Sequence, residues 1–166
     1  AFIKGDGDGT PVVILHGWGA NIESIMPIVN SISPRPFLAY DAPGFGDSDE
    51  PPTTWSTYDY SDFLTKVLKE FGIEKAIFIG HSFGGKTLTC FAPKNEEMVE
   101  KLVLVDASGV LPKRKMSYYL KVYSFKLLKN IYKLLFFWKE DSMEKFYKRF
   151  GSDDYRDTSG VMRSTF

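Results

Sequence analysis

The sequence contains little cysteine and histidine and no long apolar segment. Its 166 residues include one cysteine, Cys90, and two histidines, His16 and His81. A single cysteine excludes an intrachain disulfide and a multi-cysteine zinc site and fits a reducing compartment, so we expect a cytoplasmic protein without a metal. No segment reaches the roughly 18 consecutive apolar residues of a transmembrane helix. Since the N-terminus lacks a basic region followed by an apolar stretch, we expect no signal peptide.

Charge is balanced over the whole chain but not along it. Lys plus Arg and Asp plus Glu both number 21, which argues against a protein that binds nucleic acid. Residues 1–112 carry 8 basic and 15 acidic side chains, whereas residues 113–149 carry 11 basic and 3 acidic ones. This change in composition predicts a boundary near Pro112.

Short apolar runs alternate with helical patterns in the first two thirds of the chain. The runs are Val12–Leu15, Phe37–Tyr40, Ala76–Ile79 and Leu102–Val105. Helical patterns over 22–33, 58–71 and 84–92 lie between them. Continuous apolar runs are typical of strands that are covered on both faces of a parallel sheet. The alternation therefore predicts an α/β domain with about four strands and right-handed crossovers.

The segment after the third apolar run fits two different motifs. Gly80-x-Ser82-x-Gly84 matches the nucleophile elbow, a sharp strand-to-helix turn that exposes a serine and requires small neighbours. The same segment, from Gly80 to Thr87, matches Gly-x-x-x-x-Gly-Lys-Thr, the phosphate-binding loop of nucleotide-binding proteins, with Lys86 as its lysine. These residues alone leave both interpretations open.

Motifs elsewhere in the chain resemble one known family. HGWG over 16–19 follows the first strand, DAPGFGDS over 41–48 follows the second, GHSFGG over 80–85 follows the third, and LVLVDASG spans 102–109. In this order and at these separations they resemble the α/β-hydrolase fold family over nearly all of residues 10–110. Nucleotide binding through the phosphate loop leaves HGWG and DAPGFGDS unexplained and becomes a remote alternative.

The resemblance implies a role for each motif residue. Ser82 is the expected nucleophile, and the backbone N–H groups of Trp18 and Phe83 are the expected oxyanion hole. Asp106 is a candidate for the acid of the catalytic triad. The resemblance implies no cofactor. The remaining motif residues are expected to support the loops rather than react: His16, Gly17, Gly19, Gly80, His81 and Gly84.

The family resemblance also divides the chain. Residues 1–110 are the expected core, residues 111–160 a helical cap rich in aromatic side chains, and residues 161–166 the start of the return to the core. A cap of this composition predicts a pocket over Ser82 for an apolar ester or acyl substrate. Lysines at helical spacing predict a solvated face. A basic amphipathic helix can also contact an anionic membrane, and this alternative stays open.

The triad histidine is missing from the expected place. The family order is serine, acid, histidine, and no histidine follows Ser82. We therefore expect a serine hydrolase core that is truncated at its C-terminus and that is weakly active or inactive unless a complementing C-terminal segment supplies the base. The alternative from another class is a non-catalytic α/β module that binds a small molecule.

Overall fold

The computed structural model describes residues 1–32, 34–110, 115–135 and Met162. The chain divides into two compact units, one of Ala1–Val110 with Ser159–Phe166 and one of Leu111–Thr158. The first unit contains the sheet and its covering helices. The second unit contains one described helix. Residues 111–114 and 136–160 of the predicted helical cap lie outside the described residues.

The first unit is built on a five-stranded sheet. The strands are β1 (Phe2–Gly5), β2 (Val12–Leu15), β3 (Phe37–Tyr40), β4 (Ala76–His81) and β5 (Val99–Val105). Their spatial order is β1-β3-β2-β4-β5, and β2 to β5 pair in parallel. The predicted parallel α/β sheet is confirmed.

Strand β1 was not among the predicted strands. It pairs antiparallel with β3, with Phe2 opposite Tyr40 and Gly5 opposite Phe37. The Phe2 ring also meets the Phe71 ring edge-on at 4.8 Å between centroids. Four partly exposed residues beside a glycine-rich segment carry no strand pattern by themselves. Their conformation depends on pairing with β3, which is remote in the sequence.

Three α-helices and two short 3-10 helices are described in residues 1–110 of this unit. They are α1 (Ile22–Ile32), α2 (Thr57–Glu70), α3 (Phe83–Phe91), and the 3-10 helices Ala92–Lys94 and Glu96–Met98. Helix α2 begins with a capping interaction, since the backbone N–H of Ser56 donates to Asp59 Oδ2 at 2.7 Å. It ends before Gly72, whose φ of +64° is the left-handed conformation that favours glycine.

Helices cover both faces of the central strands. Val12 and Ile14 of β2 pack in a cluster with Ile25 and Val29 of α1. The alternate residues of β2 point to the opposite face, where they join a cluster with α2 and α3. That cluster contains Val13, Leu15, Leu38, Tyr40, Leu64, Leu68, Ala76, Phe78, Leu88 and Phe91. The alternation along β2 thus produces a core on each side of the sheet.

Strand β5 differs from its prediction. Its apolar residues were expected to be covered on both faces, yet Leu102, Val103, Leu104 and Val105 are 37–44% exposed. Within the described residues β5 pairs only with β4, so it forms an edge of the sheet. The prediction of burial is wrong because an apolar run indicates a strand but not how many neighbours that strand has.

The second unit contributes α4 (Met116–Leu135), a helix of 20 residues. Over Met116–Leu135 it confirms the helical character that was predicted for residues 111–160. The helix is rich in lysine and aromatic residues and has no aspartate or glutamate. In the described part of the chain, no helix has both the length and the apolar character needed to span a bilayer.

Candidate active site

The sheet topology brings two of the sequence motifs together. The chain leaves β2 for β3 on one side and later returns to β4 on the other side of β2. In parallel α/β sheets, binding sites lie at the carboxyl ends of strands where the strand order reverses in this way. The loops after β2 and β4 meet here, and the Gly84 N–H donates to the His16 carbonyl at 3.0 Å.

Ser82 occupies a strained turn between β4 and α3. Its φ of 48° and ψ of −107° are unusual for a residue with a side chain. The turn is held from neighbouring elements: the Ser82 N–H donates to the Val105 carbonyl at 3.0 Å, and the Ser82 carbonyl accepts from Lys86 at 3.0 Å and Ser108 at 3.1 Å. Such a backbone is the geometry expected for an exposed nucleophile.

The glycines on either side of Ser82 allow close backbone contact. A Cβ on Gly80 would lie 2.7 Å from the Gly85 nitrogen, and a Cβ on Gly84 would lie 2.5 Å from the Leu15 carbonyl oxygen. Both distances are too short for real atoms, so a side chain at either position would push α3 away from the sheet. Glycine is therefore required by packing rather than by φ, since neither residue has a positive φ.

The same segment does not form a phosphate-binding loop. Helix α3 already begins at Phe83, so its first turns include the residues that would cradle a phosphate. The Gly84 and Lys86 N–H groups donate to backbone carbonyls, and the buried Thr87 hydroxyl donates to the Phe83 carbonyl at 3.1 Å. The nucleotide-binding interpretation is wrong because these donors are already used within the fold.

The loop after β2 lies against the elbow. A Cβ on Gly17 would meet His81 Nδ1 at 2.9 Å and Ser82 Cβ at 3.5 Å. The following residue, Trp18, is the expected oxyanion donor, and Gly19 turns the loop with a φ of +69°. On the other side, the N–H of Phe83, at the first position of α3, makes no backbone hydrogen bond within the described residues. Phe83 thus directly follows Ser82, and Trp18 directly follows Gly17, which lies against Ser82.

His16 is buried and uses both ring nitrogens. Nε2 accepts a hydrogen bond of 3.0 Å from the Ala42 N–H, so Nδ1 carries the proton and donates to the Gly17 carbonyl at 2.7 Å. Burial lowers the pKa of His16, although the Gly17 carbonyl and the Asp41 carboxylate act in the opposite direction. A neutral histidine whose two ring nitrogens are both hydrogen-bonded braces the loops. It has no free lone pair to accept the hydroxyl proton of Ser82.

Asp41 has a role that the sequence did not reveal. Its carboxylate is buried and accepts from the Ile22 N–H at 2.8 Å, at the start of α1, and from the Asp47 N–H at 3.1 Å. Gly46, with a φ of +53°, leaves the space that this carboxylate fills. A carboxylate favours a helix N-terminus, but no local signal points to this one because α1 begins 19 residues before Asp41 in the chain.

An aromatic cluster surrounds the start of α3. The Phe83 ring meets the Trp18 ring at 5.1 Å and the Tyr60 ring at 5.0 Å, both edge to face. Phe45 meets Trp18 at 4.9 Å. The Tyr60 hydroxyl donates to the Pro43 carbonyl at 3.0 Å, and burial raises the pKa of Tyr60 to about 12. The surroundings of the expected nucleophile are thus apolar on this side.

Asp106 follows β5 and is exposed. Its φ is +45°, a conformation that aspartate tolerates better than most residues. Within the described residues its carboxylate makes no hydrogen bond or ion pair. The nearby Ser108 N–H donates to the Ser82 carbonyl and not to this carboxylate. No group of three His, Cys, Asp or Glu side chains that could hold a metal ion occurs in the part of the chain that the structure describes.

The fold and the elbow agree with a match to a family of known proteins. The model of the alpha/beta hydrolase fold family matches residues 10–162. The chain belongs to this family.

Two curated relatives show the range of hydrolases it is similar to. An sn-1-specific diacylglycerol lipase of Danio rerio is 36% identical over 129 residues, which are 75% of this chain and 40% of the lipase. A soluble epoxide hydrolase of a Corynebacterium strain is 30% identical over 101 residues, 60% of this chain and 35% of that enzyme. The chain therefore spans less than half the length of these relatives.

Solved structures give the same fold. A membrane phospholipase A superposes with a TM-score of 0.67 and 25% identity, covering 74% of this chain and 41% of the phospholipase. The epoxide hydrolase CorEH superposes with a TM-score of 0.65 and 22% identity, covering 89% of this chain and 51% of that chain. Because the identity with CorEH is only 22%, this likeness shows the fold alone.

Proposed function

We propose that this chain provides the nucleophile and the oxyanion-binding loops of a serine hydrolase that cleaves carboxylic esters or related acyl compounds. The observation that carries the proposal is the backbone of Ser82, strained at a φ of 48° between β4 and α3. Strain of this kind is retained where surrounding structure enforces it, and three backbone hydrogen bonds of Ser82 and two close glycines do so here.

The proposed reaction proceeds through an acyl-enzyme. A general base takes the hydroxyl proton of Ser82 as Oγ attacks the carbonyl carbon, and the negative charge that develops on the carbonyl oxygen is stabilised by the N–H groups of Trp18 and Phe83. Collapse of this intermediate breaks the ester bond, the alcohol leaves with that proton, and the acyl group stays on Ser82. Water, which gives a proton to the same base, then attacks the acyl-enzyme, and the carboxylic acid leaves as Ser82 Oγ regains the proton.

The general base has to come from outside these 166 residues. No histidine follows Ser82 in the sequence, and both nitrogens of His16 are already hydrogen-bonded. His81 directly precedes Ser82 and lies against Gly17. We propose that a complementing C-terminal segment supplies the histidine, and that Asp106, at the end of β5, is the nearest candidate for its acid partner in this chain.

The proposed substrate is an apolar ester. Trp18, Phe45 and Phe83 place aromatic rings beside the elbow. The relatives whose names state a substrate include a diacylglycerol lipase, 36% identical, and a phospholipase A, 25% identical. Both names denote cleavage of an acyl ester of a lipid, which favours ester hydrolysis over epoxide opening as the reaction.

A fluorophosphonate probe tests the nucleophile. A polypeptide extended past Phe166 by a complementing segment that carries a histidine should be labelled at Ser82, and Ser82→Ala should abolish labelling. The matched control is Ser108→Ala, which removes a neighbouring exposed hydroxyl while its N–H still donates to Ser82. If the extended polypeptide folds, binds a small apolar ester and is not labelled, the chain is a binding module and the proposed function fails.

A further inference from the structure

Helix α4 carries an apolar stripe that is exposed to solvent. Met116, Leu120, Tyr123, Leu127 and Ile131 follow one another at helical spacing and are 74%, 67%, 65%, 62% and 45% exposed. At about 1.5 Å per residue, the stripe is roughly 22 Å long. Side chains on the other side of the helix, Val122 and Phe125, are partly covered. The helix thus has a partly covered side and a separate apolar side without cover.

The charges on and around this helix have one sign. Residues 113–139 contain eight lysines and arginines and no acidic residue, and four of the lysines lie within α4. Lys126 lies beside the stripe, with Nζ 5.8 Å from the centre of the Tyr123 ring. A long side chain in this position can rest its stem on apolar surface and hold its ammonium group outside it.

We propose that α4 is a docking surface for an anionic phospholipid bilayer, on which the helix lies flat. The stripe would enter the boundary between headgroups and acyl chains, with Tyr123 at headgroup depth and Lys126 on lipid phosphates or carboxylates. A purely apolar partner would leave the lysines uncompensated, and a purely charged partner would leave the apolar stripe in water. An anionic membrane is complementary to both the stripe and the lysines.

A second copy of the chain fits this surface less well. Pairing two α4 stripes would bring together two lysine-rich helices that have no carboxylates to compensate them. An acidic nucleic acid would satisfy the lysines but would leave the apolar stripe in water. The charge pattern therefore favours a lipid surface over both other occupants.

Vesicle flotation with the full 166-residue chain tests the proposal. We expect binding to vesicles of phosphatidylcholine with phosphatidylserine, little binding to phosphatidylcholine alone, and weaker binding as salt rises from about 0.1 M to about 1 M. Lys115→Gln combined with Lys126→Gln should weaken binding about twenty-five-fold, since each lysine contributes about fivefold. Leu120→Glu combined with Leu127→Glu should weaken it at least about a hundredfold.

Two controls separate this surface from folding and from the elbow. Val110→Glu adds the same charge at a site that is 53% exposed in the other unit and should leave binding unchanged. Ser82→Ala should also bind as the parent does, so a failure of the proposed hydrolase and a failure of this docking surface are distinguishable. Circular dichroism establishes that each variant keeps its helix content.

Three results would overturn the proposal. The first is no binding to anionic vesicles by the folded parent chain. The second is equal binding to neutral and anionic vesicles, or binding that survives Leu120→Glu with Leu127→Glu. The third is self-association that this double variant abolishes while vesicles bind neither protein, because a second copy would then be the occupant of the stripe.

Discussion

The Nε2 atom of His16 accepts a hydrogen bond of 3.0 Å from the backbone N–H of Ala42. This bond joins the loop after β2 to the loop after β3, which are 26 residues apart in sequence. The opposite ring nitrogen donates to the Gly17 carbonyl at 2.7 Å. One buried imidazole therefore fixes the loop that presents Trp18 next to Ser82, and its removal should have a measurable cost.

His16→Ala should lower the free energy of unfolding by about 2–4 kcal/mol, because two hydrogen bonds are lost and the Gly17 and Ala42 backbone groups lose their partner. Urea denaturation of the 166-residue chain measures this. The control is His81→Ala, an exposed histidine, for which a change below about 1 kcal/mol is expected. Equal losses in the two variants would contradict the bracing role of His16.

The stability of the chain should fall between neutral and mildly acidic pH. Burial lowers the pKa of His16 in the folded state from the usual 6.5, so the unfolded chain takes up a proton that the folded chain resists. This contribution is fully present above pH 6.5 and is lost as pH falls toward the folded pKa, with a slope of at most about 1.4 kcal/mol per pH unit. Denaturation at several pH values should show a smaller slope in His16→Gln. An unchanged slope would assign the effect to other groups.

Gly84→Ala should destabilise the chain by more than about 3 kcal/mol or prevent folding, because its Cβ would overlap the Leu15 carbonyl oxygen, a backbone atom. Gly19→Ala is the matched control. A Cβ there meets nothing within 4 Å, and the cost is limited to about 1–2 kcal/mol for a left-handed backbone. Thermal and urea unfolding compare the two. A milder effect at Gly84 than at Gly19 would disprove the close contact between α3 and β2.

Tyr60→Phe should cost about 1–2 kcal/mol, because the buried hydroxyl no longer donates to the Pro43 carbonyl while the ring contact with Phe83 remains. Tyr58→Phe removes the hydroxyl of a tyrosine that is 59% exposed and should change the stability by less than about 0.5 kcal/mol. Urea titrations of both variants provide the comparison. If Tyr58→Phe costs as much as Tyr60→Phe, the Pro43 hydrogen bond does not stabilise the loop after β3.

Local patterns predicted the central elements closely. The runs Val12–Leu15 and Phe37–Tyr40 are strands at those same residues, and the elbow lies where β4 meets α3. Those elements are specified by contiguous apolar residues and by glycines whose small size is needed locally. Strand β1 was missed, and β5 was expected to be buried, because both depend on which strands are neighbours.

The candidate site shows the same difference between features that local sequence specifies and features that depend on tertiary contacts. The strained turn at Ser82 and the close packing of Gly80 and Gly84 could be predicted from their spacing, since a turn of this kind requires small residues at fixed distances. That Ser82 is the nucleophile stays a prediction. The role of Asp41 could not be found, because its partners Ile22 and Asp47 lie on either side of it along the chain and meet only when β3, α1 and the following turn pack together.

By itself, the sequence determined the strand–helix alternation, the strained serine turn, and the change from an acidic first part to a basic second part. Each of these is a property of neighbouring residues. Tertiary structure decided that Gly80 to Thr87 form an elbow and not a phosphate loop, and that His16 is a brace. It also decided that the apolar residues 102–105 of β5 and the apolar stripe of α4 are exposed. These outcomes depend on which donors, acceptors and surfaces distant segments cover, and that follows only from the packed chain.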